Sequence, residues 1–270
     1  MKTDIKSDSR FQADPSKYAA YLESPEGRLR TELAFANVQE CLPTSASVNS
    51  LRALDVGCGT GETGIHLARL GIHVTLLDSS AAMLEQAKRT TTAAGVSDEV
   101  AIKQGDAAQL AKIFEPSSFD VILCYNVLEY VDDPNTVLRG AARLLRTSSA
   151  IISVLVRNQA GEVLKAALQS GDLAAAEHNL TADWGEESLY KGKVRLFTPG
   201  RADAMLKEAS LRVTARRGVR VLADYLPPHI SRSGEYERIF ALERKLGSRQ
   251  EFFGIARYMQ FLARRSEVES

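Results

Sequence analysis

Apolar and polar positions follow two rhythms along this chain. Residues 18–42 place apolar side chains at helical spacing (Leu29, Leu33, Phe35, Ala36, Val38, Leu42) and stop at Pro43, which predicts one or two helices. The polar stretch 1–17 before them reads as a flexible tail, and TSASVNS (44–50) as a loop, so 18–50 forms an N-terminal helical cap. From residue 51 short apolar runs alternate with amphipathic stretches. Strands are expected over 51–56, 72–78, 100–105, 119–125 and 150–156, and helices over 63–71, 79–95 and 134–146, with Ser79 or Ser80 as the cap of the second. Strands that are almost wholly apolar, joined by helices, predict a parallel sheet covered on both faces, and right-handed crossovers make it doubly wound.

After residue 156 the rhythm breaks. Residues 157–197 are too long for a simple connection and are expected to form a helical insertion, a lid over the core 51–156. A helix (199–209), a strand (211–221), a helical stretch (235–247) and a strand near 255–264 follow, so 198–265 completes the same catalytic domain. The expected architecture is α/β: a doubly wound, mostly parallel seven-stranded sheet with N-terminal helices and a helical insertion.

Composition narrows the function. With 34 basic and 34 acidic residues the net charge is zero, which argues against a globally basic nucleic-acid binder. Three cysteines without metal-ligand spacing (Cys41, Cys58, Cys124) argue against a disulfide framework and against a metal site, and fit a reduced, cytoplasmic compartment. The N-terminus has no apolar core of a signal peptide. The longest apolar runs, Tyr18–Leu22 and Val121–Tyr125, hold five residues, against about 20 for a membrane span.

The sharpest motif is Leu54-Asp55-Val56-Gly57-Cys58-Gly59-Thr60-Gly61, directly after the first strand. Glycines there allow a tight turn and close approach of a ligand to backbone. The next strand ends in Asp78, placed where a carboxylate can accept both hydroxyl hydrogens of a ribose. A dinucleotide site is the rival, since Gly59-x-Gly61-x-x-Gly64 fits its fingerprint. Against it, Asp55 would face a pyrophosphate, and it is better placed near the cationic end of a ligand.

The glycine turn, Asp78, Gly105-Asp106-Ala107 and FDVILCYNVLEYVDDP (119–134) occur in an order that resembles the class I S-adenosylmethionine-dependent methyltransferases, over about residues 50–156. The resemblance implies their Rossmann-like fold and assigns Gly57, Cys58, Gly59, Asp78, Asp106, Ala107 and Tyr125 to the cofactor; Asp55 and Ser79, beside the same turns, are further cofactor candidates. Asp106 also suits a plain helix cap, and Cys58 a small filler between glycines. A narrower likeness rests on Gly27-Arg28-Leu29-Arg30, YNVLEYVDDPNTVL, Gly218-Val219-Arg220-Val221, Asp224-Tyr225-Leu226 and Ala256-Arg257-Tyr258. These look like the bacterial tRNA methyltransferases that esterify 5-carboxymethoxyuridine at the wobble position. That likeness implies that Arg30 contacts the cofactor's carboxylate, a pairing suited to a guanidinium. The alternative for Arg30 is a solvated charge on a helix face.

Charge along the second half points both ways for RNA. Residues 172–187 hold five acids and no Lys or Arg, whereas 189–220 hold nine basic residues and two acids, with Tyr190 and Phe197 interleaved to stack bases. No Ser/His/Asp constellation and no carboxylate pair stands out, which suits a carboxylate nucleophile that needs no general base. Of four scattered histidines only His178 falls in the insertion. Arg157 and Asn158, just after the fifth strand, and Arg195 are the candidates for positioning an anionic substrate. The partner is therefore tRNA or, alternatively, a small molecule methylated on oxygen or nitrogen. A nicotinamide-dependent oxidoreductase and a non-catalytic cofactor binder are the more distant alternatives.

Overall fold

The computed structural model describes residues 14–42, 50–187, 189–190, 192–227, 229–230 and 232–266; residues 1–13 of the tail expected over 1–17, and 44–49 of the loop expected over 44–50, lie outside them. Seven strands form one sheet: β1 (Arg52–Val56), β2 (His73–Asp78), β3 (Val100–Gln104), β4 (Val121–Tyr125), β5 (Ile151–Arg157), β8 (Leu211–Val219) and β9 (Tyr258–Arg265). Their order is β3-β2-β1-β4-β5-β9-β8. The first five run parallel, and β9 lies antiparallel to both β5 and β8. The central strands bury both faces because helices cover each side, which is why they read as unbroken apolar runs.

Helices α1 (Pro15–Glu23), α2 (Pro25–Gln39), α3 (Glu62–Ala68), α4 (Ala81–Ala93), α5 (Leu110–Ile113), α6 (Pro134–Leu144), α9 (Pro199–Glu208), α10 (Tyr236–Gly247) and α11 (Gln250–Phe253) surround the sheet. One local device starts four of them. Asp14, Ser24, Asp133 and Thr198 each accept a backbone N–H of the first turn, and a proline with preset φ follows each cap. The tail was expected to run to residue 17; the Asp14–Pro15 pair ends it sooner.

The insertion leaves and returns at one point. Gln159 N donates to Phe197 O (2.9 Å) and Phe197 N to Arg157 O (3.0 Å). Between them α7 (Gln159–Leu164) runs into a π-helical turn, Lys165–Gln169, followed by α8 (Leu173–Asn179). The expectation of an all-helical insertion is corrected by an antiparallel ribbon, β6 (Trp184–Glu187) with β7 (Gly192–Arg195). Only Glu187 and Val194 of its residues are fully buried, so no apolar alternation announced it.

A buried polar peg fastens α2 to the sheet. Gln260 on β9 donates to Ala34 O (2.9 Å), Ser153 Oγ (2.9 Å) and the Tyr125 hydroxyl (3.1 Å), and accepts from Asn37 Nδ2 (2.7 Å). Among the described residues, no helix is long and apolar enough to cross a membrane.

Gly27 lets α1 and α2 meet, since a Cβ there would collide with the Tyr21 carbonyl. Gly27→Ala is therefore expected to cost about 1–3 kcal/mol by overpacking, read as a lowered Tm in thermal denaturation; an unchanged Tm would show that the helix pair relaxes freely.

Candidate active site

The carboxyl edge of the sheet opens into a cavity of about 700 Å³, within the range of ligand pockets. Its lining changes character along the strand order. Asp106 and Asp78 stand after β3 and at the end of β2, Gly57 and Gly59 follow β1, Tyr125 and Asn126 end β4, and Arg157, Tyr258 and Arg220 stand at β5, β9 and β8. One wing is acidic and the other is cationic.

On the acidic wing, Gly57 (φ 63°) and Gly59 (φ 54°) adopt left-handed backbone that L side chains avoid. A Cβ on Gly57 would run into the Val127 side chain, and one on Gly59 would lie 3.1 Å from the Tyr18 ring. Asp78 Oδ2 accepts from Gly59 N (2.9 Å) and Oδ1 from Ser80 N (2.9 Å), so this carboxylate both braces the glycine turn and faces the cavity. Burial pushes its carboxyl up, opposed by the amides of Ser80, Gly59 and Ser79. Ser79 and Ala107 line the same wing, and Asp106 lines it while capping Ala108 N (2.8 Å). Arg30 reaches in from α2, donating to Asn126 Oδ1 (3.2 Å) and the Tyr18 hydroxyl (3.0 Å).

On the cationic wing, Arg157, Lys165, Arg220 and Arg257 line the cavity around Tyr258. Glu162 bridges Arg157 (3.0 Å) and Arg257 (2.7 Å). Asp224 pairs with Arg220 and lies 3.8 Å from Arg257. Arg220 has φ 60°, strained for a side-chain-bearing residue. The turn after it is held by Glu243, fully buried, whose carboxylate accepts from Val221, Leu222 and Ala223 N at 2.7–2.9 Å. Burial pushes Glu243 up, and those three amides oppose it.

Several expected residues stand elsewhere. Asp55 lies behind the glycine turn, 2% exposed, with Oδ2 unpartnered, and does not line the cavity. Cys58 also sits behind the turn, its thiol pushed well up by burial. Asn158 is a corner brace: its amide donates to Gly254 O (2.9 Å) and Ala256 O (2.8 Å) while its oxygen caps Ala160 N. Arg195 points away, donating to Asp132 O (3.2 Å) with its guanidinium 5.0 Å from the Trp184 ring. Phe197 is buried in the core and cannot stack a base, and among the described residues no histidine lines the cavity.

The basic run 189–220 is dispersed as well. Arg201 pairs with Asp183, Arg216 with Asp203 and Arg217 with Glu40, Arg220 is inside the cavity, and Lys191 lies outside the described residues. Sequence reasoning did not place Lys165, Arg220, Arg257 and Tyr258 at the site. For Arg220, Arg257 and Tyr258 the signal was present in the GVRV and ARY segments, which the fold brings to one cavity; Lys165, within the insertion, had none.

The model of a family described as a methyltransferase domain matches residues 47–210. A curated tRNA 5-carboxymethoxyuridine methyltransferase of Escherichia coli is 29% identical over 251 residues, 90% of each chain. A ubiquinone biosynthesis O-methyltransferase of Xanthomonas euvesicatoria is 30% identical over 169 residues, 60% of this chain and 69% of its own. A solved SAM-dependent methyltransferase of Thermotoga maritima, described as a possible histamine N-methyltransferase, superposes with TM-score 0.63 at 16% identity, over 95% of this chain and 98% of its own. That likeness shows the Rossmann-like fold. The family match goes against the nicotinamide-dependent alternative.

Asp55 offers a test of the buried turn. Burial, with Asp78 and Glu62 near, pushes its carboxyl up to about 8 against one amide hydrogen bond from Gly64. The folded protein then holds a proton that the unfolded chain releases near its ordinary value, so stability falls as pH rises from about 4 to 8. Asp55→Asn is expected to gain in Tm over the parent as pH goes from 5 to 8, with each kcal/mol worth about 2–4 °C. A constant difference across that range would mean Asp55 is ionised when folded.

Proposed function

The chain belongs to the methyltransferase-domain family, and from that premise we propose that it transfers the methyl group of S-adenosylmethionine to the carboxylate of an anionic acceptor, the wobble 5-carboxymethoxyuridine of tRNA standing first. The observation that carries this reading is the cationic wing: Arg157, Lys165, Arg220 and Arg257 lining one cavity with no histidine among its described residues. A carboxylate is already deprotonated at neutral pH, so it needs cations to hold it and no base to activate it. A phenolic or amine acceptor would call for the reverse.

The residues present fit the cofactor. Gly57 and Gly59 leave a cradle that a Cβ would fill, and Asp78 is placed to take the ribose hydroxyls. Arg30, held by Asn126 and Tyr18, suits the methionine carboxylate. Bound there, S-adenosylmethionine supplies an electrophilic methyl carbon. The arginines of the other wing align the acceptor oxygen, and alignment alone is worth up to about 7–11 kcal/mol. The E. coli relative supports the tRNA substrate by its likeness over 90% of the chain. A small carboxylate metabolite is the second reading, favoured by the pairing of Arg201, Arg216 and Arg217 with acids, which leaves less basic surface for a phosphate backbone.

Purified protein, S-adenosylmethionine and tRNA carrying 5-carboxymethoxyuridine are expected to yield the methyl ester by nucleoside mass spectrometry, with binding that weakens steeply as salt rises. Esterification of the free nucleoside with no salt-dependent preference for tRNA would favour the small-acceptor reading, and no ester from either would sink both. Arg257→Lys and Lys165→Ala are expected to raise the acceptor KM about tenfold or more, the worth of one charge-assisted hydrogen bond, while S-adenosylhomocysteine affinity by calorimetry stays unchanged.

A further inference from the structure

Tyr258 stands at the centre of the cationic wing. Cross-strand register places it opposite Arg157 on β5 and Val219 on β8. The guanidinium carbons of Arg30, Arg157, Arg220 and Arg257 lie 5.8, 5.9, 5.8 and 5.8 Å from its ring centroid. Arg30 reaches across from the other wing on α2, and the rest stand at the end of β5, just after β8 and just before β9. Lys165 adds a fifth cation from the insertion. Against these five stand two carboxylates in ion pairs with them, Glu162 and Asp224. Glu129 is also near, spent on the Arg157 amide (2.8 Å) and on Asn126 Nδ2 (2.9 Å), with burial pushing its carboxyl up toward the neutral form. The wing therefore carries uncompensated positive charge in a buried place, where charge is costly.

We propose that Tyr258 is the resident counter-anion of this wing: a phenolate in the substrate-free protein that takes up a proton when the acceptor's carboxylate arrives. The identity of the acceptor as a carboxylate rests on the reading above. The hydrogen bonding agrees. Arg220 Nη1 donates to the Tyr21 hydroxyl (3.1 Å), and the Tyr21 proton remains available to the Tyr258 oxygen, with which it is hydrogen-bonded. Burial by itself raises a phenol, yet Arg157, Arg220, Arg30 and Arg257 bring Tyr258 down to about 7. The other seven tyrosines are all raised.

The balance is simple. The carboxylate brings in one negative charge, an O–H bond forms on Tyr258 with a proton from solvent, and the charge of the wing is unchanged. Neutral acceptors bring no such charge, so they leave the phenolate in place and the arginines occupied. Tyr258 thus acts as a specificity-determining residue. The sign of the pH effect follows: binding takes up a proton, so acceptor affinity falls as pH rises above about 7, by up to tenfold per pH unit. The acceptor itself stays ionised throughout.

Tyrosinate absorption in the near ultraviolet gives the test. The free protein is expected to show one of its eight tyrosines ionising near pH 7, absent in Tyr258→Phe and displaced upward in Tyr21→Phe, which removes the donor to Tyr258. Adding 5-carboxymethoxyuridine nucleoside with S-adenosylhomocysteine at pH 8 should abolish the tyrosinate band, with proton uptake seen by calorimetry in buffers of different ionisation enthalpy. A free protein with no tyrosine ionising below pH 9 overturns the proposal, whether or not Tyr258→Phe folds. So does nucleoside that binds and leaves the band intact. Nucleoside that fails to bind at any pH sinks the carboxylate reading and the exchange step, while the free-protein spectrum still decides whether Tyr258 is an anion.

Discussion

Guanidinium groups repel one another, and holding four of them within 6 Å of one phenol ring is the demand around which the C-terminal half of the molecule is arranged. Three of the four are tied down by acids, and Arg30 is held instead by Asn126 and the Tyr18 hydroxyl. Glu162 on the insertion spans Arg157 and Arg257, and Asp224 spans Arg220 and Arg257. Glu243 on α10 holds no arginine; it clamps the turn that carries Arg220 through three amide hydrogens. Removing one partner of such a buried pair leaves the other uncompensated, at about 3–5 kcal/mol. The acids therefore tolerate substitution no better than the arginines they hold.

The other wing is built on the opposite principle. There the working groups are backbone amides and two carboxylates, and the requirement is closeness rather than charge balance. Gly57 and Gly59 leave space that a Cβ would fill, and Asp78 braces the turn by accepting from the Gly59 amide. The peg formed by Gln260, Asn37, Ser153 and Tyr125 couples the wings, because it fixes α2 and with it Arg30 over the middle of the sheet edge.

The strands and helices of the core were legible because burial on both faces leaves a simple trace, an apolar run bounded by a cap. The helix starts at Pro134 and Pro199 were read to the residue; those at Pro15 and Pro25 were not, although the same cap-and-proline pairs, Asp14–Pro15 and Ser24–Pro25, set them. The glycine turn and Asp78 were legible because both lie within one βαβ unit. The cationic wing was not. Arg157, Arg220 and Arg257 come together only through the antiparallel register of β9, which no local pattern encodes. Asn158 and Arg195 were misplaced for the same reason: position after a strand does not say which way a side chain turns. A count of basic residues over 189–220 likewise cannot show that Asp183, Asp203 and Glu40 neutralise three of them.

The strand order has a consequence for how the molecule is made. β9 lies between β5 and β8 yet leaves the ribosome after both. Until it emerges, β5 is an open edge and β8 has no sheet to join, and the arginines contributed by each have no shared centre. The chain can therefore finish its parallel core during synthesis, but the wing that would choose the acceptor forms in the last step. A truncated or stalled product would keep the glycine turn and lack the cluster of arginines around Tyr258.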